Sequence, residues 1–403
     1  MVALRDCLSL QEETLDALAA QDDRPAGMEP FDRFFLENTR EKELEDVIVV
    51  GQLCNFAPEE LILAAGAVPV RLDIGCQHAA SEGEKILPAE ICCAVHAAAG
   101  AIEKDLWPAV SRVDLLVIAT SCDAKKKLAT VLAENHEVFT LQLPVSHREA
   151  RARDWWRKEI ERLAERLCKL TGRKITRGTL KEAVGLINRR TQAVRRLNDL
   201  RKKPRPPISG ADSLLVMQTA FLADLRWWIE QTESLCDELE QRVAAEKCRV
   251  PRARILLSGS PVLWPDFKLP LLVQECGADV VADELCSGTQ RLHHPVVVDE
   301  WTKAGLIRAA AERVLLPCTC PCFQETGARQ DRLLELVESH KIDGIIHHTL
   351  RLCQLYDMDT ARLQKLFKQK DIPWQSLRTD FSPEDIGRVK NRIEAFVEMV
   401  SAG

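Results

Sequence analysis

Residues 315–323, LLPCTCPCF, place Cys318, Cys320 and Cys322 at every second position, with Pro317 and Pro321 between them. Thiols so arranged can ligate a metal, pair as disulfides or fill a core. The chain carries 15 cysteines, an odd number, so complete pairing is impossible. Its N-terminus, MVALRDCLSLQEETLDALAAQDD, is too acidic and amphipathic for a signal peptide, and no apolar run approaches the roughly 18–20 residues of a bilayer span. We therefore expect a cytoplasmic protein without membrane association. A reducing compartment disfavours disulfides and leaves metal ligation, reactive thiols or buried free thiols.

The elements that would hold such thiols follow an alternating pattern. Strands are expected at 47–51, 68–75, 113–120, 137–144, 254–258, 279–282, 313–316, 343–348 and 374–378, with helical sequence between them. This order predicts parallel sheets. The two series are alike: VIVVGQLCNFAPEELILAAGAVPVRLDIGC and ILLSGSPVLWPDFKLPLLVQECGADVVADELC each run strand, turn, helix, Gly-Ala, strand, Cys. The expected fold is α/β, with two similar parallel-sheet lobes facing a cleft. Its divisions are a helical lead-in at 1–45, a first lobe at 46–150, a helical segment at 151–250 and a second lobe at 251–403. The pairs Trp155–Trp156 and Trp227–Trp228 fall in the helical segment and read as helix packing.

Loops that follow the strands of a parallel sheet gather at one edge, where ligands bind. Cys54, Cys122, Cys286, Cys353 and the pair Cys318 and Cys320 all lie just beyond expected strand ends. Cys92 opens a helix after Pro88, where free N–H groups stabilise a thiolate. No pair of CxxC knuckles of the zinc-ribbon kind is present. Widely separated thiolates suit an iron–sulfur cluster gripped from two lobes, while spacing alone leaves zinc and inert thiols open. Cys7, Cys168, Cys236, Cys248 and Cys276 lie in helical sequence and are expected to be inert.

Several stretches then carry a resemblance. CNFAPEELILAAGAVPV, TSCDAKKK, GSPVLWPDFK, ECGADVVADELCSGTQR, DGIIHHTLRLCQLYDMD and SLRTDFSPEDIGRVKNRIEAFVEMV are similar to the 2-hydroxyacyl-CoA dehydratase and benzoyl-CoA reductase family, from about residue 30 onward. The resemblance implies a 4Fe-4S cluster on Cys92, Cys122 and Cys353. The further thiols Cys54, Cys286 and Cys320 resemble the additional ligands of the double-cubane branch, which implies an 8Fe-9S cluster on six cysteines. Cys318 rivals Cys320, Cys93 and Cys322 offer shifted registers, and Cys76 mirrors Cys286 in the first lobe as a spare thiol.

The same resemblance implies a homodimer that takes electrons from a separate ATP-hydrolysing 4Fe-4S activator and reduces a small molecule. The chain itself has no GxxxxGK[ST] loop and no GxGxxG after a strand. Proton donors are sought at His347 and His348, and more weakly at His293 and His294. Lys125, Lys126 and Lys127, directly after Cys122, either offset an anionic group or form a solvated helix start. A dehydratase subunit with one 4Fe-4S cluster is the first rival reading; a non-catalytic electron relay or a zinc-stabilised scaffold is the second. The net charge of -6 argues against non-specific nucleic-acid binding, and the basic run at 189–207 reads as a solvated face.

Overall fold

The computed structural model describes residues 2–37, 47–107, 112–248 and 250–402. The end of the expected lead-in, from residue 38 to 45, lies outside them. Two four-stranded parallel sheets form the frame. In the first, β1 (Val49–Leu53), β2 (Val68–Arg71), β3 (Leu115–Ala119) and β4 (Val138–Leu141) take the order β2-β1-β3-β4. In the second, β5 (Arg254–Gly259), β6 (Asp279–Glu284), β7 (Gly344–Leu350) and β8 (Trp374–Thr379) take the order β6-β5-β7-β8. The orders are the same once β1 to β4 are matched to β5 to β8, so the internal repeat seen in the residues is a repeat of topology.

The inner strands are buried on both faces, as VVGQL, LLVIA and GIIHHTL show by continuous burial. That is what a parallel sheet covered by helices on both sides requires. The edge strand VFTL instead alternates between half-buried and buried positions. One expected strand is absent. Residues 313–316 form the last turn of a helix, Lys303–Leu315, and its C-cap. Arg313, Val314 and Leu315 continue that helix's buried face, so this short apolar run is helical rather than extended.

The helical segment wedges the lobes together. Its long helix Arg177–Arg201 reaches the first lobe through Arg190, whose Nη2 lies 2.6 Å from Glu59 Oε2, and the second through Arg201, whose Nη1 lies 3.0 Å from Asp283 Oδ2. Trp156 and Trp228 are buried packing residues whose indole N–H groups donate to the carbonyls of Ala311 and Val216. The lead-in helix Val2–Ala19 clasps both lobes as well. Thr14 donates to the carbonyl of Pro265, and Cys7 is disulfide-bonded to Cys76.

The lobes meet at the carboxyl edges of their sheets. Gly75, after β2, pairs with Pro265, and a Cβ at position 75 would stand 2.2 Å from the carbonyl of Leu263. Only glycine allows that approach. No helix among the described residues is long and apolar enough to cross a membrane.

Candidate metal centre

Three thiols occupy the N-caps of helices that run away from the lobe junction. Cys92 caps Cys93–Lys104, Cys122 caps Asp123–Leu132 after β3, and Cys353 caps Gln354–Gln369 after β7. Cys122 and Cys353 are therefore equivalent positions of the two lobes. Serine, aspartate and asparagine are the usual residues there; a thiol at the cap places its sulfur against free N–H groups that favour negative charge. Cys122 Sγ accepts from the Lys125 N–H at 3.4 Å, doing the job of a cap oxygen. Cys92 and Cys353 hydrogen-bond to one another across the lobes, and Cys353 also reaches Ser260.

A second group of thiols surrounds the first. Cys54 is the residue immediately past β1, in a left-handed conformation with φ of 67°. Its Sγ receives Lys125 Nζ at 2.9 Å and lies 3.2 Å from Ser121 Oγ. Cys286 follows β6. Arg71 holds it by donating to its carbonyl at 2.7 Å and toward its sulfur at 3.7 Å, and Asn55 donates to the same carbonyl. Cys318, Cys320 and Cys322 lie beyond the helix Lys303–Leu315, so the segment that presents them leaves a helix rather than a strand.

Electrostatics tie these groups into one neighbourhood. Cys286 feels Cys54 and Cys320, Cys320 feels Cys353, and Cys122 feels Cys353. The six residues Cys54, Cys92, Cys122, Cys286, Cys320 and Cys353 are thus brought together, with Cys93, Cys318 and Cys322 beside them. Cys76 is not. Expected as a spare thiol next to the site, it is bonded to Cys7, itself expected to be inert, and the expectation of no disulfide is corrected there. The compartment argument concerned exposure to cellular thiols, whereas this bond is buried, with Cys7 3% and Cys76 1% exposed. Among the described residues no three His, Cys, Asp or Glu side chains stand preassembled around a single ion.

Burial dominates the thiols' acidity. It pushes Cys286 up to about 12 despite Arg71, and it raises Cys54 despite Lys125. Cys92 is pushed up to about 12, where the hydrogen bond with Cys353 pulls down but Cys93 and burial outweigh it. Cys320 goes the other way. A hydrogen bond from Cys322 holds it below the ordinary thiol value, while Cys318 and Cys322 are both raised, Cys318 by burial and Cys322 by that bond.

Of the three adjacent lysines, only Lys125 turns inward. Its ammonium bridges Cys54 and Asp73, at 2.9 and 3.0 Å, whereas Lys126 and Lys127 are exposed. Nothing in their spacing separates the three, and no motif marks Arg71, Asp73 or Arg329. Arg329 is 2% exposed, pairs with Glu284 and Asp359, and lies over the ring of Tyr356, the only tyrosine of the chain.

The expected proton donors are placed in strand β7. His347 stacks on Trp374 with ring centroids 4.9 Å apart, and His348 is held by Thr379 Oγ1 at 2.6 Å and the carbonyl of Ser260 at 3.3 Å. Burial lowers His347 well below the ordinary imidazole value and lowers His348 to about 4. Burial thus disfavours the imidazolium form of both rings. His293 and His294 are likewise lowered to about 4, chiefly by burial.

Comparison with known proteins decides the family. The family model described as 2-hydroxyglutaryl-CoA dehydratase, D-component, matches residues 54–400. The chain belongs to this dehydratase and benzoyl-CoA reductase family. Among relatives of this D-component member, the putative dehydratase subunit YjiM of Escherichia coli (strain K12) is 30% identical over 354 residues, 87% of this chain and 91% of that one. The (R)-phenyllactyl-CoA dehydratase beta subunit of Clostridium sporogenes is 22% identical, again over 87% of this chain and 91% of that one. A benzoyl-CoA reductase component of Thauera aromatica is 20% identical, over 87% of this chain and 90% of the relative. D-component family membership thus spans both lobes and the helical segment between them.

Proposed function

We propose that the chain is an iron–sulfur reductase whose thiols Cys54, Cys92, Cys122, Cys286, Cys320 and Cys353 hold an 8Fe-9S double-cubane cluster at the lobe junction. The carrying observation is the convergence of these thiols from strand-end loops, helix caps and the 318–322 segment of both lobes. A donor set made only of sulfur, and too spread out for one ion, fits a group several atoms wide. When bound, such a group supplies one-electron chemistry at low potential, tuned by charge, hydrogen bonds to sulfur and solvent access.

The chain's own residues do the rest. The N-cap at Cys122 directs the Lys125 N–H at sulfur, and Cys92 and Cys353 sit at helix N-termini, where the dipole favours negative charge. Lys125 and Arg71 hold Cys54 and Cys286 in place, and Arg329 keeps Glu284 and Asp359 paired beside Cys320. The chain has no nucleotide motif of its own, so the energy for a low-potential electron comes from a separate ATP-hydrolysing 4Fe-4S activator in this reading. The substrate is a small molecule reduced at the junction, and the protein works as a homodimer in the cytoplasm.

A second reading has a specific support. Cys92 and Cys353 are linked by a hydrogen bond and Cys122 and Cys353 by their mutual field, and two relatives are named as dehydratase beta subunits. On that reading the chain is a subunit of a 2-hydroxyacyl-CoA dehydratase with one 4Fe-4S cluster and a different partner subunit. Iron and sulfide analysis of anaerobically purified protein, with its absorption spectrum, separates the two. About eight irons per chain supports the double cubane and about four the single cubane. Iron-free protein, or zinc in its place, overturns both.

A further inference from the structure

The charges around the thiols are unevenly distributed. At the end formed by Cys54 and Cys286, two buried cations share one carboxylate. Lys125 Nζ is 3.0 Å from Asp73 Oδ1, and Arg71 Nε is 2.8 Å from Asp73 Oδ2. Both cations also touch sulfur, Lys125 at Cys54 and Arg71 at Cys286. One positive charge is therefore left over, and it is directed at thiols.

Beyond that end, Arg190, Arg291 and Arg313 are buried with Glu59 and Glu60, three cations to two carboxylates and so again one cation in excess. Arg291 contributes to the field at Cys318 and donates to the carbonyl of Ala57 at 3.5 Å. The opposite end differs. Cys92 and Cys353 face helix N-termini, Ser260 and one another. The nearest arginine in sequence, Arg351, is 54% exposed and already paired with Glu84 and Asp380. A full buried charge at a few ångströms acts far more strongly than the half-charge of a helix end or a screened surface ion.

We infer that the site is electrically polarised, so that the charge added on reduction is stabilised at the Cys54–Cys286 end, with Lys125 the positioning residue that sets how readily it is taken up. The inference rests on the iron–sulfur reading above. The step itself is one electron delivered by an external low-potential donor, with no bond made or broken; the new negative charge is met by the uncompensated cation. Asp73 is the counterweight, because its carboxylate is what keeps the pair of cations from presenting two charges.

The consequence has two signs, which distinguishes it from loss of structure. Lys125→Met removes a cation and leaves Asp73 paired with Arg71, so reduction becomes harder. Asp73→Asn removes the anion and keeps both cations, so reduction becomes easier. Anaerobic protein would be titrated with titanium(III) citrate at fixed ambient potential, following the visible absorption and the paramagnetic signal of the reduced form, after iron analysis of every sample. We expect the ratio of reduced to oxidised protein to fall at least about tenfold in Lys125→Met and to rise by a similar factor in Asp73→Asn. Lys125→Arg should restore the parent's ratio, and exposed Lys126→Met should leave it unchanged.

Iron-loaded Lys125→Met that titrates like its parent, or shifts of the same sign in the two variants, would overturn the inference while the iron content upholds the cluster. If Lys125→Met fails to hold iron, Asp73→Asn alone decides, since a ratio at or below the parent's contradicts it. An iron-free parent would overturn the reading of the site, and the inference with it.

Discussion

Arg313 of the second lobe grips Glu60 of the first through two nitrogen–oxygen contacts, with both side chains no more than 1% exposed. The pair joins the helix Lys303–Leu315, which delivers Cys318 and Cys320, to the helix Glu59–Ala64, which follows Cys54. The lobes are thus riveted beside the thiols by a buried ion pair. Breaking one side of such a pair leaves a lone buried charge, which costs far more than the pair contributes.

Arg313→Met should therefore destabilise the protein by roughly 3–5 kcal/mol. Arg313→Met with Glu60→Leu should recover much of the loss, because Glu60 is then no longer buried without its partner. Urea unfolding followed by circular dichroism measures both. A double variant as unstable as the single one would show that the pair's geometry, not its charge balance, is what matters.

The thiols of the 318–322 segment are expected to separate on iron retention. Cys320→Ser should lose part of the iron, whereas Cys322→Ser should keep it, measured by iron analysis after anaerobic purification. Equal retention in the two would contradict the assignment of Cys320.

The Cys7–Cys76 bond closes a loop between residues 69 apart in sequence. Chain-entropy arguments give such a link roughly 4 kcal/mol of stabilisation. Denatured, unreduced protein should take up 13 alkyl groups on its free thiols, and 15 after reduction. Cys7→Ser should lower the unfolding midpoint and abolish the further effect of reductant; 15 alkylations without reduction would rule the bond out.

Acid stability should carry the mark of Glu59. Burial pushes this carboxyl up, but Arg190, with Arg291 and Arg313 behind it, outweighs that and holds it at about 2. The folded value lies below the unfolded one. The contribution is therefore full above about pH 4.5 and is lost as the pH falls toward 2, on the order of 3 kcal/mol in all. Glu59→Gln should flatten the stability profile between pH 4.5 and 2 while lowering stability at pH 7. A profile as steep as the parent's would place the acid sensitivity elsewhere.

Much of this arrangement is legible in the residues because it is written in local pattern. Runs such as VDLLVIAT and GIIHHTL are apolar throughout, as strands buried on both faces must be, and Cys122 and Cys353 stand just past them. The run RVLL misleads for the same reason, since a few apolar residues satisfy a helix face as well as a strand. Lys125 is indistinguishable from Lys126 and Lys127 in sequence, because only its turn on the helix decides which lysine faces inward. The Cys7–Cys76 bond has no local sign at all. It depends on where the lead-in helix docks, and nothing near either residue encodes that.

The first lobe places Cys54 past β1 where the second has Ser260, and the second places Cys286 past β6 where the first has Cys76, tied up with Cys7. Neither half therefore owns a full complement of sulfur donors. Any set that draws on all six thiols is therefore complete only once the polypeptide has been made as far as Cys353, in the second lobe. A polypeptide that stops between the lobes keeps Cys54, Cys92 and Cys122 and lacks Cys286, Cys320 and Cys353.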